Sequence, residues 1–135
     1  MGRLTAHILA LALIAALLPR TGHAGMASRP DDLTVAFATC AGRLAAFRNE
    51  GWTVPGQRLD SRAAYQGFTD LLAAVGPSPS DSSPAAVTLR AIRAQARTET
   101  ARLLSIARYG SDARRTRLAA ATLAQRLLAC ESLLP

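Results

Sequence analysis

Arginines in the second half of the chain are the residues whose type and spacing come nearest to a chemistry, and that chemistry is anion binding. Arg90, Arg93, Arg97 and Arg108 fall on positions 90, 93, 97, 101, 104 and 108, which step by three or four and so share one stripe of a helix. Arg114, Arg115 and Arg117 cluster at the start of the next helical stretch, where the helix dipole disfavours them. Guanidinium groups held together in this way attract polyanions. Between Arg90 and Arg126 nine arginines face only Glu99 and Asp112, whereas Gly25 to Leu89 holds five arginines against six acids. The basic character therefore belongs to the second half. The same stripe also suits a solvated face on a chain whose sixteen basic residues, all of them arginine, give it a net charge of +7.

Other chemistries are excluded by the residue types that are missing. Both histidines, His7 and His23, lie near the N-terminus, and there is no lysine anywhere. A domain made of the later residues has no Ser-His or Cys-His pair, no imidazole metal ligand and no amine for a Schiff base. Carboxylate pairs remain as a route to acid–base hydrolysis. Yet Glu50, Glu99, Glu131 and the six aspartates fall mostly at expected helix ends and loops. Asp31-Asp32 is the only adjacent acidic pair and no D-x-D-x-D-G loop follows it, so capping explains it better than metal binding. Neither a catalytic site, a metal nor a cofactor is expected. Nucleic acid is disfavoured as well, because Tyr109 is the only aromatic in the basic half and bases would have nothing to stack on.

The N-terminus reads as an export signal: Arg3, the apolar run Ile8–Leu18, Pro19, and the small-residue segment RTGHAGMA. Eleven apolar residues fall short of the roughly 20 that a membrane span requires, so cleavage is expected rather than anchoring, leaving no transmembrane span in the mature protein. Ala24 and Ala27 are the two candidate cleavage points, with Ala24 nearer the apolar run. Residues 25–135 then form a single domain in a periplasmic or secreted location.

Four helical stretches should position the arginines. Leu33 to Glu50 opens after Asp31-Asp32 and places Leu33, Phe37, Cys40, Leu44 and Phe47 on one face, with Arg43 and Arg48 elsewhere and Gly51 as the stop. Gly42 inside it costs about 1 kcal/mol relative to alanine, which implies close packing of a helix thinned by Ala38, Ala41, Ala45 and Ala46. The connector Trp52–Asp60 holds a Pro55-Gly56 turn; Trp52 suits a lid folded over the core, or an exposed binding residue. Ser61 caps the second stretch, which buries Ala64, Tyr65, Phe68, Leu71, Leu72 and Val75 and stops at Gly76.

The loop GPSPSDSSP leads to Ser83 as cap and Pro84 as first residue of the third stretch, which runs to about Tyr109 with Leu89, Ile92, Ala96, Leu103 and Ile106 inward. Gly110 stops it, and Ser111 or Asp112 caps a fourth stretch from Ala113 to about Leu134, with Leu123, Leu127, Cys130 and Leu134 on one face. So short a link makes the last two an antiparallel hairpin. The fold class is all-α, a small antiparallel four-helix bundle. Both cysteines face inward, and in an exported chain they form a Cys40–Cys130 staple. Two buried free thiols are the alternative.

The segment Cys40-Ala41-Gly42-Arg43-Leu44-Ala45-Ala46, followed by Trp52, resembles a stretch in small exported α-helical bacterial proteins of uncharacterised function. Its core is C-x-G-x-x-x-A. Those proteins often carry an acidic, methionine-containing segment before the tryptophan, where this chain has Phe47-Arg48-Asn49-Glu50. The resemblance implies an exported helical protein with a cysteine bridge and carries over no activity.

Taken together, the residues lead to an exported binding or structural component of the cell envelope whose partner is an envelope protein or an anionic envelope component. A protein that docks its arginine-rich hairpin on anionic membrane is the runner-up, and a carboxylate-based hydrolase the third reading.

Overall fold

A computed structural model describes residues 30–50 and 60–135, and within them the chain forms four α-helices and no strand. These are α1 (Asp32–Glu50), α2 (Ser61–Val75), α3 (Pro84–Tyr109) and α4 (Ala113–Glu131). The signal-like N-terminus, Gly51, Trp52 and the Pro55-Gly56 turn lie outside the described residues.

Local chemistry sets the ends. Asp31 accepts the Thr34 N–H and hydroxyl, each at 2.7 Å, and these bonds hold its carboxyl below the usual range. At α2 the cap is Asp60, one residue before the expected Ser61: its carboxylate accepts from the N–H groups of Arg62 and Ala63, and a carboxylate also suits the positive end of the helix. Ser83 caps α3 with Pro84 first, and Asp112 caps α4. Helix α4 ends at Glu131, three residues before the expected Leu134, in a turn closed by the Ser132 and Leu133 N–H groups.

Helix α1 is the centre of the molecule. It packs against α2, α3 and α4, and ten of its nineteen residues are buried. It runs antiparallel to α2, with Arg48 beside Tyr65 and Ala38 beside Leu72. Against α3 it runs parallel, because Gly42 meets Arg93 and Ala96 while the Arg108 guanidinium donates to the Glu50 carbonyl at 3.4 Å. That close parallel contact depends on Gly42: a Cβ there would collide with the Arg93 carbonyl oxygen and come within 3.0 Å of the Ala96 Cβ. The small residues of α1 thus make one short diagonal of the bundle, and α2 and α4 lie at the ends of the long one.

Large side chains fill the long diagonal. Phe37, Leu44, Phe47, Phe68, Leu104, Leu123 and Leu127 join the two cysteines in one core, with the Phe37 and Phe68 rings 5.9 Å apart. The Cys40–Cys130 disulfide is present, with an S–S distance of 2.03 Å and Cα atoms 5.6 Å apart, and ties the C-terminal end of α4 to the middle of α1. Helices α3 and α4 form the expected antiparallel hairpin, joined across their faces by Arg126–Glu99 at 3.6 Å.

Several expected core positions are corrected. Leu33 is 53% exposed and Val75 55%, each in a terminal turn that no other described helix covers; Thr34 is buried instead. On α3, Leu104 and Thr100 occupy the core, and Leu103, Ile92 and Ile106 are only partly buried. The Thr100 hydroxyl is fully buried with no hydrogen-bond partner among the described residues. Valine has the same shape and lacks that group, so Thr100→Val is expected to raise stability by about 1 kcal/mol, near the low end of the penalty for an unpaired buried polar group. Urea denaturation measures it; a loss of stability would mean that the hydroxyl is satisfied.

Candidate arginine trough

Helices α2 and α3 both pack on α1 but hardly approach each other, and the space between them is a trough. Ala38 and Ala45, two turns apart on α1, form its floor. Methyl groups there leave the depth that larger side chains would fill.

Arginines gather at one end of this trough. Arg48 from α1 and Arg90, Arg93 and Arg97 from α3 line a hollow of about 330 Å³ together with Asn49 and Tyr65. The guanidinium carbon of Arg48 lies over the Tyr65 ring at 4.2 Å and that of Arg93 at 5.3 Å. Such cation–π contacts hold the charge in place without neutralising it. Arg93 also donates to the Tyr65 hydroxyl, forming a strut from α3 to α2 across the trough. Arg90 donates to the carbonyls of Pro79 and Asp81, the latter at 2.7 Å, and so fastens the 76–83 loop as the end wall. Asp81 in that wall is held below the usual carboxyl range by the Ser83 N–H and hydroxyl, helped by the charge of Arg90. Among the described residues no carboxylate lines the hollow.

The arginines singled out in the sequence are thus divided by the fold. Arg90, Arg93 and Arg97 come together, but Arg108 stands about 16 Å further along the helix axis from Arg97, and Leu104 between them is buried. Arg108 is engaged at the end of α1, on the Glu50 carbonyl, and lies over its neighbour Tyr109 at 5.3 Å. Arg114, Arg115 and Arg117 are exposed at the start of α4, away from the trough, and their side chains make no ion pair or hydrogen bond among the described residues.

No family model, curated protein or solved structure matches this chain. The site must therefore be read from its own geometry. Two of its members carry no anion-binding signal in the sequence: Arg48 lies off the apolar stripe of α1, and Tyr65 falls on the apolar face of α2, where it packs against the core. Chain order still points to their meeting, since antiparallel packing of α1 on α2 across a short connector brings the last turns of one beside the first turns of the other.

Arg43 has a different setting. It is half-buried, and its guanidinium reaches the Cys130 Sγ at 3.8 Å. Burial and the neighbouring Arg126 charge lower its pKa, with Glu99 opposing them. It covers the disulfide rather than serving the trough. Among the described residues no cluster of acidic, cysteine or histidine side chains is arranged to hold a metal, and no helix is long and apolar enough to cross a membrane.

Proposed function

We propose that this protein is an exported, disulfide-stapled helical domain that binds an anionic group of an envelope component in the trough between α2 and α3, without catalysing a reaction on it. The observation that carries the reading is the convergence of four guanidinium groups from two helices on a hollow with no carboxylate among its described lining residues. Like charges so placed repel one another, and a bound anion relieves that repulsion while accepting hydrogen bonds from several forks at once. The export component rests on the signal-like N-terminus, and the disulfide agrees with an oxidising compartment.

The test is a calorimetric titration with pyrophosphate at low ionic strength, using two charge-matched variants. Arg48→Gln with Arg97→Gln should weaken binding at least tenfold, since both side chains line the hollow and neither donates a hydrogen bond among the described residues. Arg114→Gln with Arg117→Gln removes the same charge and should change affinity less than threefold. Equal losses in both would reduce the trough to diffuse attraction, and binding should also fall steeply with salt because screening acts over about 8 Å at physiological ionic strength.

A second reading is favoured by the opposite end of the hairpin. Exposed Tyr109 and Leu118, at 71% and 67%, neighbour Arg114, Arg115 and Arg117, a mixture of apolar and cationic groups that suits docking on an anionic membrane surface. In that case the second pair of substitutions would do the greater damage, with phosphatidylglycerol vesicles as the ligand.

A further inference from the structure

The trough does not end at the arginines. Beyond the Arg93–Tyr65 strut it continues toward the 76–83 loop as a hollow of about 220 Å³ whose walls include Leu72 and Ala73 from α2, Pro77 and Pro79 from the loop, and Ala86 and Leu89 from α3. Arg90 and Arg93 line both compartments. One depression therefore has an apolar half and a cationic half, with two guanidinium groups at the boundary. Together the halves fall within the roughly 300–1,000 Å³ typical of small-molecule sites.

We propose that the trough binds a single-chain amphiphile with an anionic head, the head meeting Arg93, Arg97 and Arg48 and the chain lying against Leu72, Ala73 and Leu89. The proposal rests on the anion-binding reading above and adds the chemical class of the ligand. Charge complementarity fixes the sign of the head. The apolar compartment fixes the rest of the molecule: a small hydrophilic anion would leave its apolar walls open to water, whereas a chain covers them. A cationic or uncharged amphiphile would place its head among guanidinium groups and gain nothing there.

Alkyl phosphates of increasing length, kept below their micelle-forming concentrations, test this on the unmodified protein. Each methylene buried is worth roughly fourfold in affinity, so octyl phosphate is expected to bind with 1:1 stoichiometry at least tenfold more tightly than butyl phosphate, and butyl phosphate no more weakly than inorganic phosphate. Octyltrimethylammonium should not bind. Ala73→Trp, at an exposed helical position, fills the apolar compartment; it should remove the gain from chain length while leaving the affinity for inorganic phosphate within twofold. Binding of phosphate without dependence on chain length would overturn the amphiphile and leave the anion site standing. Failure of every phosphate to bind would overturn both. Equal binding of octyltrimethylammonium would reduce the trough to a non-selective apolar surface.

Discussion

Gly42→Ala is expected to lower stability by about 2 kcal/mol, equivalent to a melting temperature roughly 10 °C lower. In an open helix the same change adds about 1 kcal/mol of stability, because alanine is the better helix former. Here the added Cβ would collide with the Arg93 carbonyl oxygen, a backbone atom in the middle of α3 that cannot turn aside as a side chain would. Overpacking of that kind costs up to about 3 kcal/mol, so it outweighs the propensity gain and reverses the sign. Relief requires α3 to move away from α1, and Arg93 and Arg97 would move with it. The substitution should accordingly weaken anion binding in protein that is still folded, a readout that an unrelated packing defect would not give. Urea denaturation and pyrophosphate titration of the same variant measure both effects; a gain in stability would show that the two helices are not in close contact at Gly42.

Joint replacement of Cys40 and Cys130 by alanine should be the most damaging change of all. Opening a loop closed between residues 90 positions apart costs roughly 4 to 5 kcal/mol by the chain-entropy account. Small domains have a total stability of about 5 to 15 kcal/mol, so a large share of it is at stake. The structural reason is that α4 packs mainly on α3 and makes only a slight approach to α1. Without the bridge the end of α4 loses its hold on α1, and the covered side chains Leu123 and Leu127 should become accessible first. Hydrogen exchange should show the last two turns of α4 opening well before α1. A loss below about 1 kcal/mol would mean that packing alone fixes α4 and that the disulfide is incidental.

The end of α3 and the caps of α3 and α4 are legible in the sequence because capping is local. Ser83-Pro84, Gly110 and Asp112 each act on atoms within a few residues, and each stands where its chemistry predicts. The architecture was legible for a related reason: apolar spacing placed both cysteines inward, and so distant a pair could meet only by joining the first helix to the last. Burial in the long helix was less legible. Thr100 and Leu104 replace the expected Leu103 because the inward face of a 26-residue helix drifts around its axis, and Thr100 is polar in name but apolar over most of its surface.

The site was only half legible. Periodicity could group Arg90, Arg93 and Arg97 on one helix, but it could not show that Leu104 separates them from Arg108, nor that Arg48 arrives from α1. Those facts depend on the parallel approach of α1 and α3, which Gly42 permits and no count of charges reveals. Arg48 belongs to a half of the chain in which acids balance the arginines, yet it lies over Tyr65 within the cluster. Average charge along the sequence says little about charge in a cavity.

Nuclear magnetic resonance of the disulfide-intact protein, titrated with inorganic phosphate at constant ionic strength, tests the anion site most directly because it reports where the anion goes. The guanidinium signals of Arg48, Arg93 and Arg97 and the ring signals of Tyr65 should shift together along one saturating curve, with Arg114, Arg115 and Arg117 unchanged. Shifts confined to the α3–α4 turn, or small shifts spread over every arginine without saturation, would contradict the trough as the binding site.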